Sequence, residues 1–377
     1  MSPSRSLSLV LRGVALAVVA RRLMRAARTA PPVTPVAPSA LPVVPTISVV
    51  IPARDEEQRL GPCLEGLRDA PGVVEVIVVD DHSTDATASV AAASGARVVA
   101  AADLPTGWAG KAWAVQQGLE AAVGDWVVTL DADTRPDPRL PAASVARAQR
   151  EGADLMTLAG SFTCPTAALA AAHPAMLTTL VMRFGPPGVV GSGDTGRLLA
   201  NGQCMVMPRV AFLADGGLAP VAHHMVEDVA LVRQRAGQGR RVAFLDAGDL
   251  LSVQMYENLG DAWRGWGRSL ALPGVEARAR QVLDAVTVAL VQGVPLWRLL
   301  RGRADAVDTV ALLMRLGTLV GTARAYRPRR WTYWLSPLAD PFAVATLVKG
   351  ILQPDQPWRG RHVPTAPPGR SAGRSGS

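Results

Sequence analysis

Two aspartates, Asp131 and Asp133, stand at the end of an apolar run in the segment GDWVVTLDADTRPDP. Residues 126–130 are predicted to form a buried strand, and residues i and i+2 of an extended segment point the same way. Both carboxylates can therefore face one ligand. Hard divalent cations such as Mg²⁺ prefer carboxylate oxygens combined with substrate phosphates. The pair predicts either an acidic turn or a site for a metal-bridged diphosphate.

Three further clusters of acidic residues lie elsewhere in the chain, and two of them also follow predicted strands. The clusters are Arg54, Asp55, Glu56 and Glu57 in VIPARDEE, Asp80, Asp81 and Asp85 in VVDDHSTD, and Glu227 and Asp228 in HHMVEDVAL. A turn aspartate such as Asp85 is also a good helix cap, so each cluster alone is weak evidence. Ligands of open parallel sheets bind at the carboxyl ends of the strands. The repeated position at strand ends therefore indicates one shared site.

The elements that must position these acids alternate between strand and helix from residue 46 onwards. The segments TISVVIPA, VVEVIVVDD, ARVVAA and DWVVTL are predicted strands, and the stretches between them have helical spacing. Such alternation predicts right-handed βαβ units. Beyond residue 138, helices are predicted at 139–150, 165–184 and in EDVALVRQRAGQG, with strands in ADLMTLAG, LLANGQCMVMP and RVAFLDAG. The predicted fold class is α/β, with a mostly parallel central sheet flanked by helices.

The composition indicates contact with a membrane rather than with nucleic acid. Hydrophobic residues make up 49% of the chain and charged residues 19%, the mean hydropathy is +0.19 and the net charge is +8. The basic excess is concentrated at the two ends, which suits an anionic membrane surface. No basic stretch is interleaved with aromatic residues, so a nucleic-acid partner is not expected. The three cysteines lack CxxC spacing, which gives neither a disulfide framework nor a zinc site.

The motifs occur in an order that resembles a known family. VVIPARDEE, VIVVDDHSTDAT, GWAGKAWAVQQGL, LDADT, MVEDVALVRQ and SVQMYENLGDAWRGWGRSL follow one another over residues 47–270. They resemble the family 2 glycosyltransferases with the GT-A fold, and most of all the membrane-associated bacterial enzymes acting on carotenoid or hopanoid-type lipids. The resemblance implies an inverting enzyme that moves one sugar from a UDP- or GDP-sugar to a hydroxyl or carboxyl of a lipid acceptor. It also implies Mg²⁺ or Mn²⁺ as cofactor.

The resemblance implies roles for individual residues. The implied nucleotide-sugar contacts are Pro52, Ala53, Asp55, Glu57, Asp80, Asp81, Lys111, Asp131 and Ala132. Asp133, together with Asp131, matches the DxD motif that ligates the metal. Asp228 matches the catalytic base, with Glu227 as its neighbour. Acids at a helix N-terminus are also favoured by the helix dipole, and both interpretations of this pair can hold together.

The segment DAWRGWGR departs from part of the family. Processive members that build polysaccharide have a Q-x-x-R-W motif near this point, and its absence favours transfer of a single sugar. Trp263, Arg264, Trp266 and Arg268 are expected to contact the acceptor or to lie at the membrane interface, where Trp and Arg are favoured. A polysaccharide synthase and a non-catalytic nucleotide-sugar-binding protein remain as alternatives. A nucleotidylyltransferase is disfavoured because no Gly-rich loop bearing Arg and Lys follows the first strand.

The chain divides into five predicted segments. They are a basic and apolar N-terminal segment with a Pro-rich linker at 1–45, a nucleotide-sugar-binding half at 46–140, an acceptor-binding and catalytic half at 141–270, membrane-associated helices at 271–353, and a disordered basic tail at 354–377. Nucleotide sugars are cytosolic. The catalytic domain is therefore expected on the cytosolic face of a bacterial cytoplasmic membrane.

Charged residues interrupt the apolar stretches of the C-terminal segment. Arg315 lies within 306–323 and Asp340 within 333–352. An outward crossing by 282–297 would place the basic loop RLLRGRAD outside, against the positive-inside tendency. Interfacial or re-entrant helices on the cytoplasmic leaflet are therefore predicted in preference to three complete spans. The shorter apolar stretch 7–20, which Arg12 interrupts, is predicted to be a marginal anchor or an interfacial helix.

Overall fold

A computed structural model describes residues 3–24, 29–35, 45–191 and 195–353. The predicted disordered tail at 354–377 and most of the Pro-rich linker lie outside these residues. The strands are β1 Ile47–Ala53, β2 Val73–Asp80, β3 Arg97–Ala100, β4 Trp126–Leu130, β5 Thr134–Pro136, β6 Leu155–Ala159, β7 Ser161–Phe162, β8 Val189–Val190, β9 Cys204–Pro208, β10 Val242–Asp246 and β11 Leu251–Val253.

The helices include every one predicted from the sequence. They are α1 Pro3–Leu23, α2 Glu57–Glu65, α3 Thr87–Ala93, α4 Gly110–Ala121, α5 Leu140–Glu151, α6 Ala167–Phe184, α7 Arg209–Ala214, α8 Glu227–Gly237, α9 Leu259–Ala271, α10 Arg278–Val288, α11 Val294–Leu300, α12 Ala306–Thr322 and α13 Asp340–Leu352. A π-helical turn at Ala289–Gly293 joins α10 to α11, and a 3₁₀ stretch at Trp331–Ala339 precedes α13.

The central sheet has eight strands in the order β3-β2-β1-β4-β9-β6-β10-β8. Strands β3, β2, β1 and β4 are parallel, as the βαβ prediction requires, and β6 is parallel to β10. Strand β9 is antiparallel to both β4 and β6, and Leu130 pairs with Cys204. The segment that enters β9 therefore lies at the same sheet edge as the segment that leaves β4. The predicted α/β class is confirmed, and this edge receives residues from both halves of the chain.

Helices cover both faces of the sheet because its strands alternate between two apolar cores. In β1, Val49 and Ile51 pack with α2 and α5, whereas Val50 packs with α4 and α8 on the opposite face. These strand residues are fully buried. Helix α4 approaches the sheet closely at Gly118, where a Cβ would lie 2.3 Å from Val50 Cγ1. This packing holds the first turn of α4 beside the ends of β1 and β4.

Helices α1 and α9 to α13 form a second body around α6. By length and composition, four helices of the described chain are long and apolar enough to cross a membrane: Ala167–Phe184, Arg278–Leu300, Ala306–Ala325 and Trp331–Leu352. The first of these is mostly buried inside the protein, whereas fewer than half of the residues in each of the other three are buried. The preference for interfacial or re-entrant helices over complete membrane spans stays a prediction.

Helix α1 docks on these helices through its arginines. Arg12 Nη2 lies 2.6 Å from Asp305 Oδ2, and Arg12 Nη1 lies 2.7 Å from Asp308 Oδ1. Arg22, almost three turns further along, lies 2.7 Å from Asp284 Oδ1. Arg12 therefore does not interrupt α1, since its guanidinium is buried and paired with two carboxylates. A buried charge is tolerated only with such a partner.

Candidate active site

A cavity of about 650 Å³ opens at the carboxyl edge of the central sheet. All four acidic clusters contribute to its wall. The residues from these clusters are Pro52, Ala53, Arg54, Glu56, Asp81, Asp131, Ala132, Asp133, Glu227 and Asp228. Lys111 lines it from the start of α4, and Arg264 lines it from α9. The structure thus brings together acids that are far apart in the sequence, as expected for ligand sites of parallel sheets.

Lys111 connects the acids of β4 with those of α8. Its Nζ atom lies 2.7 Å from Asp131 Oδ1 and 3.2 Å from Glu227 Oε1. Burial lowers the pKa of the ammonium, but the carboxylates of Asp131 and Glu227 outweigh burial and raise it above the usual range. Lys111 therefore stays charged and holds the end of β4 against the start of α8.

Carboxylates outnumber cations in the wall of the cavity. Burial, with the nearby charges of Asp131 and Glu56, raises the pKa of Asp133 to about 7. Burial also raises the pKa of Asp131, although Lys111 opposes the shift. Like charges held together in a low-dielectric site favour protonation or a bound cation. The cluster is therefore suited to a positive ligand.

The donor set fits a divalent cation that shares its ligands with a substrate. Asp131 and Asp133 offer only oxygen, the atom that Mg²⁺ and Mn²⁺ prefer. Within the described part of the chain, no group of three or more His, Cys, Asp or Glu side chains is arranged to hold a metal by itself. A cation here would complete its shell with water and substrate phosphates, which is how Mg²⁺ is usually bound.

Asp228 lies in the first turn of α8, and backbone N–H groups hold both of its carboxylate oxygens. Its Oδ2 accepts a hydrogen bond from the Gly202 N–H at 2.7 Å, and its Oδ1 accepts one from the Val229 N–H at 2.8 Å. Burial and the neighbouring Glu227 raise the pKa of Asp228 to about 7, while Lys111 and the two N–H groups oppose them. A fixed carboxylate that titrates near neutral pH can act as a general base.

Three of the predicted nucleotide contacts do not line the cavity. Asp55 Oδ1 accepts a hydrogen bond from the Thr84 N–H at 2.8 Å, and Glu57 Oε2 accepts one from the Ala86 N–H at 3.0 Å. Asp80 Oδ1 accepts from the Ser83 N–H at 3.3 Å. The carboxylates of Asp55 and Glu57 thus join the segment after β1 to the loop after β2, whereas Asp80 holds the loop after β2 itself.

Asp81 and Asp85 differ in their surroundings. Asp81 is buried in the cavity wall, with Oδ2 3.7 Å from Arg54 Nη1. Asp85 accepts hydrogen bonds from the N–H groups of Glu57 and Thr87, which open α2 and α3. Asp85 therefore caps helices, which is the structural role that its position in a turn allows.

The four residues predicted on the acceptor side are separated by the structure. Arg264 lines the cavity and pairs with Asp261 Oδ1 at 2.5 Å. Trp263 packs on Phe342, and Trp266 is buried against His173 in the helical core. The side chain of Arg268 lies outside what the structure describes. Helix α9 thus divides the cavity from the apolar helices.

Sequence reasoning missed a turn that completes the cavity. Asn201, Gly202 and Gln203 line it immediately before β9, and Tyr256 lines it after β11. Asn-Gly is a turn signal that the sequence shows. What could not be inferred is that β9 is antiparallel, so that a turn entering this strand faces the acids leaving β4.

The strands and the acidic pair at the cavity belong to a known type of domain. Residues 48–164 match the family described as glycosyl transferase family 2. Residues 48–164 therefore form a family 2 glycosyltransferase domain. The matched range includes β2 to β7 and all but the first residue of β1, and Asp131 and Asp133 lie within it. Asp228 and Arg264 lie beyond the matched range.

Two relatives share the name 4,4'-diaponeurosporenoate glycosyltransferase. The protein from Staphylococcus haemolyticus is 30% identical over 232 residues, which are 60% of this chain and 61% of the relative. The protein from Staphylococcus aureus strain USA300 is 28% identical over 250 residues, which are 64% of this chain and 65% of the relative. The matched part thus spans less than two thirds of these curated relatives.

A solved structure extends the comparison across the chain. The mannosyltransferase PcManGT from Pyrobaculum calidifontis, in complex with GDP-Man and Mn²⁺, aligns over 92% of this chain and 98% of its own. The TM-score is 0.51 and the sequence identity 18%. At this identity the likeness establishes a shared fold. The GT-A-like fold expected from the family 2 glycosyltransferase domain is confirmed.

Proposed function

We propose that the protein is a glycosyltransferase that moves one sugar from a UDP- or GDP-sugar to a lipid acceptor with inversion at the anomeric carbon. The family 2 glycosyltransferase domain supports the reaction class. The observation that carries the proposal is the arrangement of Asp228, which faces the same cavity as the DxD pair with both oxygens held by backbone N–H groups. The relatives named for diaponeurosporenoate support a carotenoid-type acceptor.

Each side of the proposed reaction has residues in the cavity that suit it. Where the acceptor is a hydroxyl, Asp228 accepts its proton as the acceptor oxygen attacks the anomeric carbon. The nucleoside diphosphate leaves with negative charge, which Lys111 can help to neutralise because it stays protonated. Asp131 and Asp133 would hold Mg²⁺ or Mn²⁺, which supplies further charge stabilisation when bound. One displacement of this kind needs no covalent enzyme intermediate.

Donor binding is expected to depend on metal through Asp133. With donor and Mn²⁺ present, donor at 100 times its Kd stabilises the folded protein by about 2.7 kcal/mol. Asp133→Asn should lose the stabilisation that Mn²⁺ adds and keep the metal-independent part. Thermal unfolding of both proteins with a panel of UDP- and GDP-sugars, with and without Mn²⁺, measures this.

Asp137→Asn is the matched control for that substitution. Asp137 lies four residues after Asp133 but pairs with Arg139 at 2.7 Å and does not line the cavity. Its variant should respond to Mn²⁺ as the unmodified protein does. An unchanged response to Mn²⁺ in Asp133→Asn would contradict the metal assignment.

The apolar helices support a membrane-bound acceptor at the cytosolic face of a bacterial membrane. Most of the large apolar side chains that the described chain exposes lie in α1 and between residues 278 and 352. Trp331 is 74% exposed and Leu313 is 63% exposed. Exposed apolar surface on this scale marks a membrane or protein contact. A second cavity of about 600 Å³, walled mainly by apolar residues of α13 and of 289–294, lies in this region.

Vesicle binding is expected to depend on this surface. Protein diluted from detergent should float with anionic vesicles, and the double variant Trp331→Ser, Leu313→Ser should bind several-fold more weakly because two apolar anchors are lost. Val210→Ser is the control, since Val210 is 67% exposed but lies on α7 of the catalytic part. Equal weakening by the control and the double variant would contradict membrane contact through these helices.

A further inference from the structure

We propose that the turn 201–203 is a positioning element for the Asp228 carboxylate, acting through the backbone N–H of Gly202. The inference rests on the proposed function of Asp228 as the base. The Gly202 N–H donates to Asp228 Oδ2 at 2.7 Å across 26 positions of sequence. Because the Val229 N–H occupies Oδ1, the two donors together define the plane of the carboxylate.

The turn is itself fixed by hydrogen bonds at both ends. Asn201 Oδ1 accepts from the Gln203 N–H at 3.1 Å, and Asn201 Nδ2 donates to Gln203 Oε1 at 2.8 Å. The Asp131 N–H donates to the Gln203 carbonyl oxygen at 3.1 Å. The same three residues therefore contact the first aspartate of the DxD pair and the base. A rigid support of this kind is what a catalytic carboxylate needs.

Space, not backbone conformation, requires glycine at position 202. Its φ does not lie in the left-handed region, so an alanine could adopt the same backbone. A Cβ there would lie 3.1 Å from Lys111 Nζ and 3.4 Å from Asp228 Oδ2. At 3.1 Å the Lys111 ammonium must give way by a few tenths of an ångström, whereas 3.4 Å from Asp228 Oδ2 is an ordinary van der Waals distance. A side chain at position 202 therefore displaces the Lys111 ammonium that lies beside the Asp228 carboxylate.

The charges around Asp228 make such a displacement measurable. Glu227 of α8 and burial raise the pKa of Asp228, while Lys111 of α4 and the N–H groups of Gly202 and Val229 lower it. Asp131 also lies in the cluster, paired with Lys111. From α9, Asp261 and Arg264 line the same cavity as an ion pair. Moving Lys111 or the Gly202 N–H away removes groups that favour the charged carboxylate, so the base should titrate at higher pH.

The test compares Gly202→Ala with Gly237→Ala in the full-length protein. Gly237 is the last residue of α8, whose first turn contains Asp228. It is exposed, and an added Cβ there would have no atom within 4 Å. We expect Gly202→Ala to reduce kcat several-fold near pH 6.5, because a displaced ammonium favours the charged form of Asp228 less strongly. The loss should shrink as the pH rises, because the acid limb of the kcat profile should lie at higher pH than in the unmodified protein. Gly237→Ala should match the unmodified protein.

A second variant guards against a folding defect in the first. Asn201→Ala adds no bulk but removes the hydrogen bonds inside the turn, and it should shift the acid limb in the same direction by a smaller amount. A loss of kcat that is equal at every pH, or no loss relative to Gly237→Ala, would overturn the positioning role. Absence of turnover in the unmodified protein with every UDP- and GDP-sugar would instead contradict the proposed function.

Discussion

Asp228→Asn is expected to reduce sugar transfer by about 10³-fold while donor binding is retained. Asparagine has the shape of aspartate, and its Oδ1 can still accept one of the two backbone N–H groups that hold Asp228. It cannot take a proton from the acceptor. Release of nucleoside diphosphate from a donor measures turnover, and thermal unfolding with the same donor measures binding.

The pH profile separates a base from a merely structural carboxylate. Burial and Glu227 raise the pKa of Asp228 to about 7, so the basic form is lost as the pH falls through about 7. The unmodified protein should therefore show an acid limb in kcat near pH 7, and the residual rate of Asp228→Asn should lack it. Asp137→Asn, the surface control, should keep the full rate. Full turnover in Asp228→Asn would refute the base assignment.

Lys111→Met is expected to lower both turnover and stability. The substitution keeps the apolar stem but leaves Asp131 and Glu227 without their shared cation. Breaking such a pair costs about 1–3 kcal/mol, less than in a fully buried pair because Lys111 and Asp131 keep 23% and 28% of their side-chain exposure. Turnover should fall because the ammonium no longer offsets the charge of the leaving diphosphate.

The pH dependence of that instability has a defined sign. Without Lys111, the folded-state pKa of the cavity carboxylates lies further above the unfolded value, since the lysine opposes the shift in Asp131. Carboxylates of this kind destabilise the folded state when charged, and the instability is relieved as the pH falls through the folded pKa. Urea unfolding at pH 8 and pH 5 should show the larger loss at pH 8.

Lys349→Met is the control for Lys111→Met, because Lys349 is the only other lysine in the chain. Its Nζ donates to the Trp263 carbonyl oxygen at 3.1 Å, away from the acidic cluster. Its effect on stability should be similar at both pH values. A loss of stability in Lys111→Met that is also equal at pH 5 and pH 8 would contradict the ion-pair role.

The sequence predicted the strands that end in acids because hydrophobic periodicity and strand-end position are local signals. Alternating strands and helices are enough to place Asp81 and Asp131 on one sheet edge. The same pattern does not distinguish an acid that faces the cavity from one that supports a loop. Asp55 and Asp81 have similar sequence surroundings, yet Asp55 binds the Thr84 backbone and Asp81 lines the cavity.

Interactions over long sequence separations were beyond the reach of the sequence. The orienting donor of Asp228 is a backbone N–H, which no residue type reveals, and it is placed there by the antiparallel β9. The partners of Arg12 follow almost 300 positions later, so the arginine looked like a defect in an apolar helix. Trp266 resembled an interfacial anchor but fills the aromatic core, because helix packing decides which face of α9 is buried.

The most direct test is nucleoside diphosphate release by the full-length protein in anionic vesicles, with a panel of UDP- and GDP-sugars and Mn²⁺ or Mg²⁺. We expect at least one donor to be turned over by the unmodified protein and by Asp137→Asn. The same donor should bind Asp228→Asn without being turned over. Failure of every donor to bind or turn over in the unmodified protein would contradict a glycosyltransferase site at this cavity.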